Sequence, residues 1–267
     1  MALAVCATPI GNLDDVTLRV LDELREADVV LCEDTRHTRG LLERHGIRAR
    51  LLSYHEHNEA KRTAEVLPRL EAGERVALVS DAGMPAISDP GARLVAAALS
   101  SGVPVTVLPG ASAVDTALVA SGFASERYQF VGFLPRGQAA RAALWEELRG
   151  WQFPAVAFES PQRVPAALRS LADVQPDRVL AVCRELTKVH EEVVRGTASE
   201  LAARFAEPPR GEITIVLGPA EGERPDAGAA GEAVRELVEE GLSRRRAAEI
   251  VSRLTGVQRN ELYRCTL

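Results

Sequence analysis

With 267 residues and 46% hydrophobic content, the chain exceeds the usual size of a single core and predicts two domains, each burying its own. Its formal net charge of −6 argues against a protein that coats nucleic acid over its whole surface, while leaving room for a local basic face. Four scattered cysteines without CxxC spacing, Cys6, Cys32, Cys183 and Cys265, indicate neither a zinc site nor a disulfide framework and predict a reducing, cytoplasmic setting.

The N-terminal run Met1 to Leu13 is apolar at first but carries no basic leader. No later run reaches the roughly 18 apolar residues of a membrane span, so a soluble, untargeted chain is expected. From there short β-branched runs alternate with amphipathic segments. Strands are predicted at Leu3 to Ala7, Asp28 to Cys32, Arg50 to Tyr54, Arg75 to Val79 and Val103 to Leu108. Helices are predicted from Val16 to Glu26, after Thr35, from Glu59 to Glu71 and after Pro90. This alternation predicts a mostly parallel sheet covered on both faces, an α/β domain over residues 1–110.

Ligands of such sheets bind beyond the carboxyl ends of the strands. The first strand runs into Ala7-Thr8-Pro9-Ile10-Gly11-Asn12-Leu13, which lacks the glycines of a dinucleotide fingerprint. The second brings Glu33, Asp34 and Arg36 to the edge, although Asp34 is equally suited to cap the following helix. The third brings His55, Glu56 and His57; His-x-His lacks a third ligand and the spacing of a zinc helix, so no metal is expected. His55 or Asp34 could accept a hydroxyl proton as general base, a role worth about a hundredfold to ten-thousandfold. The fourth strand delivers Ser80-Asp81-Ala82-Gly83-Met84-Pro85-Ala86-Ile87-Ser88-Asp89-Pro90-Gly91, where two glycines allow close backbone approach and two prolines stiffen the turn.

A second α/β domain is expected over residues 111–219. Ser112 is a natural cap for a helix ending near Gly122. Strands are predicted at Tyr128 to Leu134, Pro154 to Phe158, Arg178 to Arg184 and Gly211 to Pro219, with a helix from Ala139 to Leu148. Lys188, in a chain with one other lysine, is either a solvated turn residue or a contact to RNA phosphate. Residues 220–231, rich in Gly, Pro and Ala, are expected to form a linker. Helices predicted at Glu232 to Glu240, Ser243 to Leu254 and Gln258 to Arg264 then make a helix-turn-helix-like appendix over residues 232–267. Arg244, Arg245, Arg246, Arg253, Arg259 and Arg264 make it locally basic, suited to RNA phosphates or to a packing or dimerisation role.

The run SDAGMPAISDPG resembles the signature of the ribosomal small subunit methyltransferase I family, within the tetrapyrrole methylase superfamily. Glu159-Ser160-Pro161-Gln162-Arg163 is similar to the family's Glu-Ser-Pro-His-Arg stretch, with glutamine in place of histidine, and Arg184-Glu185-Leu186-Thr187-Lys188 matches a further one. The resemblance implies two α/β domains of the class that binds S-adenosylmethionine in a cleft, and a homodimer. It implies cofactor contacts from Pro9, Asp81, Ala82, Gly83, Met84, Ser112, Ala113, Phe158, Glu159, Glu212 and Thr214. It also implies catalysis around Glu33, Asp34, Arg36, His55 and Lys188, on the ribose 2′-hydroxyl of cytidine 1402 in the decoding centre of 16S ribosomal RNA. A C- or N-methyltransferase of small tetrapyrroles and a catalytically silent ribosome-assembly factor are the alternatives.

Overall fold

Five short strands build the first sheet, the central three fully buried and the two edge strands half-buried or partly exposed: β1 (Leu3–Cys6), β2 (Val29–Cys32), β3 (Leu51–Ser53), β4 (Val76–Leu78) and β5 (Val105–Leu108). A computed structural model of the chain describes residues 2–220, 227–255, 257 and 259–264. The predicted linker residues 221–226, with Gly256, Gln258 and Cys265, lie outside the described residues. All neighbouring strands of this sheet pair in parallel, in the order β3-β2-β4-β1-β5. Side chains alternate across it. Leu3, Val5, Val29, Leu31, Val76 and Leu78 pack against Val66 and Leu70 of α3 (Glu59–Glu71) and Leu94 and Ala98 of α4 (Ala92–Ser100). Ala4, Cys6, Val30, Cys32 and Ala77 meet Val20, Leu21 and Leu24 of α1 (Leu18–Glu26) and Leu42 of α2 (Thr35–Arg44). Covering both faces is why the strands read as continuous apolar runs rather than alternating ones. Each buried Leu or Val contributes about 1.5–3 kcal/mol toward this arrangement.

One helix starts later than predicted. A 3₁₀ turn at Leu13–Asp15 precedes α1, and Thr17 caps the helix by accepting a hydrogen bond from the Val20 N–H at 3.2 Å.

The second sheet comprises β6 (Gln129–Phe133), β7 (Ala155–Glu159), β8 (Val179–Arg184), β9 (Glu192–Thr197) and β10 (Ile213–Leu217), in the order β6-β7-β10-β8-β9. Only β6 and β7 run parallel; β10 is antiparallel to both β7 and β8. α5 (Ala113–Ala120) covers one face through Ala117 and Leu118, together with Ile10 from the loop after β1. α6 (Gln138–Glu147), α7 (Val164–Val174) and α8 (Ala198–Arg204) cover the other, around Trp145, Leu168 and Leu201. The elements α7, β9 and α8 had no counterpart among the predicted ones.

The C-terminal region folds as α9 (Ala227–Glu239), α10 (Arg244–Thr255) and α11 (Arg259–Arg264) around Ala230, Val234, Ala247, Ala248, Val251, Val257 and Leu262. α9 begins at Ala227, five residues before the predicted Glu232 and inside the expected linker. Burial of Ala230 and Val234 outweighs the poor helix propensity of the glycines there.

Candidate active site

Loops from the carboxyl edge of the first sheet meet one end of the second sheet around a cavity of about 370 Å³. The loops after β1 and β4 are joined by a small antiparallel bridge, with Thr8 N–H donating to Gly83 O at 2.9 Å and Gly83 N–H to Thr8 O at 3.1 Å. The Thr8 hydroxyl adds a bond to Ser80 O at 3.0 Å. Gly83 has φ +76°, a conformation that favours glycine, and this lets the loop lie against Ile10 and Ala111.

Every residue expected to contact the cofactor lines this cavity except Pro9. Pro9 is buried, and Ile10 takes the wall position, because the bridge at Thr8 fixes the chain direction and presents the next side chain but one. From the first-sheet side come Asp81, Ala82, Gly83 and Met84; from α5 come Ser112, whose hydroxyl also caps the helix by accepting from Asp115 N–H at 3.3 Å, and Ala113. Across from them, Thr214 pairs in register with Phe158 between β10 and β7. Phe158 stacks edge-on with Phe130 and Phe133 at 4.9 and 5.5 Å.

Glu159 is 2% exposed. Its Oε1 accepts from the Ser160 N–H at 2.7 Å and pairs with the Arg163 guanidinium, whereas Oε2 is buried with no hydrogen-bond partner among the described residues. A buried acceptor without a donor is costly, by about 1–3 kcal/mol, and the Arg163 guanidinium is what compensates the buried carboxylate.

None of the five residues expected to be catalytic lines the cavity. Asp34 caps α2, accepting from Arg36 N–H at 2.8 Å, and its carboxylate grips the Arg36 guanidinium at 2.7 Å. The hydrogen bonds from Arg36 hold its pKa well below the usual carboxylate range, which makes Asp34 a weak base. The Arg36 side chain is otherwise solvent-facing. His55 N–H donates to Asn58 Oδ1 at 2.9 Å, so the amide turns its Nδ2 toward His55 Nε2 at 3.0 Å. Nε2 is thus engaged by Asn58, and Nδ1 is buried without a partner among the described residues. His55 does not line the cavity. Glu33 is exposed and outside the cavity lining, its pKa raised by partial desolvation and by the charge of Asp81. Among the described residues no three His, Cys, Asp or Glu side chains come together to hold a metal ion.

Lys188 is likewise committed. Its Nζ donates to Glu185 Oε1 at 2.9 Å and Glu212 Oε2 at 2.8 Å. Burial works to lower its pKa, and the bonds to Glu212 and Glu185 outweigh that and raise it. An ammonium shared by two carboxylates has little charge left for a phosphate.

The residue overlooked in the sequence is Asp89. It lines the cavity, and burial together with the charges of Glu33 and Asp81 pushes its pKa up to about 6. The second aspartate of the SDAGMPAISDPG run was the available signal.

On the C-terminal helices, Arg244, Arg245, Arg246, Arg253 and Arg259 are exposed. Arg246 pairs with Glu249 at 3.1 Å. The side chain of Arg264 lies outside the described residues.

A family model described as Tetrapyrrole (Corrin/Porphyrin) Methylases matches residues 2–202, and one described as RsmI C-terminal HTH domain matches residues 224–267. A Micromonospora olivasterospora protein named ribosomal RNA small subunit methyltransferase I is 45% identical over 98% of this chain and 85% of its own length. The chain belongs to the ribosomal RNA small subunit methyltransferase I family. Another protein of that name, from Mesorhizobium japonicum, is 42% identical over 98% of this chain and 90% of its own length. The solved uroporphyrin-III C-methyltransferase of Thermus thermophilus, complexed with S-adenosyl homocysteine, superposes with a TM-score of 0.57 at 18% identity, covering 81% of this chain and 96% of that one. At that identity the likeness is one of fold. No helix among the described residues is long and apolar enough to cross a membrane.

The cavity also passes a chemical test for the cofactor that the family fold implies. An adenosyl group presents a flat apolar ring with amine donors, and a sulfonium presents positive charge. Ile10, Met84, Phe133, Phe158, Leu186 and Ile213 offer apolar wall for the ring, and Asp81 and Asp89 offer negative charge to the sulfonium. The residues fit S-adenosylmethionine.

Proposed function

We propose that this chain methylates RNA with S-adenosylmethionine, on the ribose 2′-hydroxyl of cytidine 1402 in the decoding centre of 16S ribosomal RNA. The observation that carries the reading is the convergence on one cavity of the residues expected to hold the cofactor, all but Pro9. The near-full-length relatives named as ribosomal RNA methyltransferases favour RNA over a tetrapyrrole acceptor.

When bound, S-adenosylmethionine supplies a methyl group already activated by its sulfonium sulfur. The protein's task is then alignment and exclusion of water, where effective molarity provides much of the rate. Phe158, Phe133, Met84 and Ile10 make the dry walls, and the Asp81 loop carries the charge that opposes the sulfonium. In this reading residues 1–110 present the acceptor side, residues 111–219 the adenosyl side, and residues 232–267 bring RNA phosphates. Three consecutive arginines in the first turn of α10 support the last assignment, because cations there oppose the helix dipole and only Arg246 has an ion-pair partner among the described residues. The working species is proposed to be a homodimer in the cytoplasm.

Labelled methyl transfer to unmodified small ribosomal subunits, followed by alkaline digestion, tests the proposal. The expected product is an alkali-resistant dinucleotide holding 2′-O-methylcytidine. Absence of transfer to subunits and free ribosomal RNA, with cofactor bound, would overturn it; label in a tetrapyrrole would replace it.

A further inference from the structure

The loop that carries Asp89 is built to hold a carboxylate in place. Ala86 and Ser88, both non-glycine, have φ of +69° and +61°, and Gly91 has φ of +137°. Such conformations cost about 1–3 kcal/mol each for residues with a side chain and persist where the surroundings enforce them. Here the loop is fastened at both ends. Ala86 N–H donates to Pro90 O at 3.3 Å, and Gly91 N–H donates to Glu59 Oε1 at 3.1 Å. Glu59 is steadied in turn by the Tyr54 hydroxyl at 3.2 Å. A Cβ on Gly91 would sit 2.8 Å from Leu78 Cδ2, so the loop rests directly on β4.

The other carboxylates near the cavity are held by backbone N–H groups or by cations. Asp81 accepts the Asp34 N–H, Glu159 is bound by Ser160 and Arg163, Glu212 is paired with Lys188, and Asp34 with Arg36. Glu33 does not reach the lining. Asp89 lines it and forms no ion pair among the described residues. The charged groups that act on it are both acidic, Glu33 from the loop after β2 and Asp81 from the loop after β4, while Glu59 of α3 holds the loop's end through the Gly91 N–H. Burial and the negative neighbours leave it a proton affinity near neutrality, with a hydrogen bond to Ser80 acting the other way. A general base works best with such an affinity.

We propose that Asp89 is the catalytic base that takes the proton of the acceptor hydroxyl during methyl transfer, an assignment that rests on the RNA methyltransferase reading above. The balance is simple. The hydroxyl oxygen forms the new bond to the methyl carbon, the carbon–sulfur pair stays on sulfur, and the hydroxyl proton passes to an Asp89 oxygen and then to water.

The test compares wild type with Asp89→Asn and Asp89→Glu in single-turnover methylation of unmodified small subunits between pH 5 and pH 8.5, with S-adenosylhomocysteine binding followed by calorimetry. Wild type is expected to lose rate about tenfold per pH unit below a midpoint near 6. Asp89→Asn is expected to bind S-adenosylhomocysteine within about threefold of wild type, to lose a hundredfold or more in rate, and to lose the acid limb. Asp89→Glu should recover part of the rate together with an acid limb. An asparagine variant within tenfold of wild type and with the same acid limb would overturn the assignment alone, as would loss of S-adenosylhomocysteine binding in both variants. A wild-type protein inactive on every RNA would overturn the underlying reading and this assignment with it.

Discussion

The backbone N–H of Asp34 donates to Oδ1 of Asp81 at 3.0 Å, tying together the ends of the adjacent strands β2 and β4 at the floor of the cleft. Asp81 thus serves two surfaces: it lines the cofactor cavity and it anchors the start of α2. Asp34 serves only the second.

That asymmetry separates two substitutions. Asp81→Ala is expected to weaken S-adenosylhomocysteine binding tenfold or more and to lower stability by about 1–2 kcal/mol through the lost hydrogen bond. Asp34→Ala should lower stability by about 1 kcal/mol through the lost cap and leave binding within about threefold. Calorimetry and urea unfolding on both variants check this; equal binding losses would show that Asp34 touches the ligand.

The loop after β1 meets the turn after β8 at Gly11. A Cβ there would sit 2.7 Å from Leu186 O, a backbone atom that has no way to swing aside, and Asn12 N–H already donates to Thr187 Oγ1 at 2.9 Å. Gly11→Ala is expected to push the two sheets' loops apart and weaken cofactor binding about tenfold or more, with the far-ultraviolet circular dichroism unchanged. Wild-type affinity in this variant would mean that the contact does not shape the cavity.

Lys188 holds Glu185 and Glu212 together rather than facing solvent. Lys188→Met should strand two carboxylates beside the cavity and lower the unfolding midpoint, while the salt dependence of RNA binding stays that of wild type. A drop of about 0.7–0.9 in the slope of log affinity against log salt would return the lysine to the RNA interface.

Arg244, Arg245 and Arg253 are exposed on α10. Replacing all three by glutamine is expected to cut the salt slope by about 2–3 and leave S-adenosylhomocysteine binding intact. An unchanged slope would assign α10 to protein packing.

Asp89 also predicts a pH dependence of stability. Its pKa is about 6 in the folded protein and about 3.9 in an unfolded chain. The folded state therefore binds more protons between these values, and stability attributable to this group falls as pH rises through the window and stays low above it. Asp89→Asn should unfold at a temperature about 2–4 °C above wild type at pH 7.5, allowing for solvent screening of a partly exposed group, with the gap closing toward pH 4. Scanning calorimetry at both pH values is the check; a gap independent of pH would assign the effect to packing.

Much of this was legible in the chain. The helix Glu59–Glu71 has the bounds its periodicity predicts, and the apolar runs before each polar loop placed the cavity at the carboxyl edge of the first sheet. The base was not legible, because basicity depends on neighbours that sequence separates. Asp34 is neutralised locally by Arg36, a pairing open to inspection, but Asp89 owes its proton affinity to Glu33 and Asp81 on two other loops. Lys188 meets Glu212 across the start of the final strand, beyond any local pattern. β9 escaped notice because none of its residues is fully buried, so its apolar signal is weak.

The placement of β10 between β7 and β8 has a consequence for the order in which the molecule comes into being. A chain leaving the ribosome N-terminus first has all five strands of its first sheet once Leu108 has emerged. The second sheet must wait for Ile213–Leu217, which supplies the backbone partners of both Ala155–Glu159 and Val179–Arg184. Until then those strands have unpaired edges facing each other, a state that invites misassociation. The wall formed by Glu212 and Thr214 is thus the last of the pocket to be made, and the complete cofactor cavity exists only once the sheet around that strand has closed.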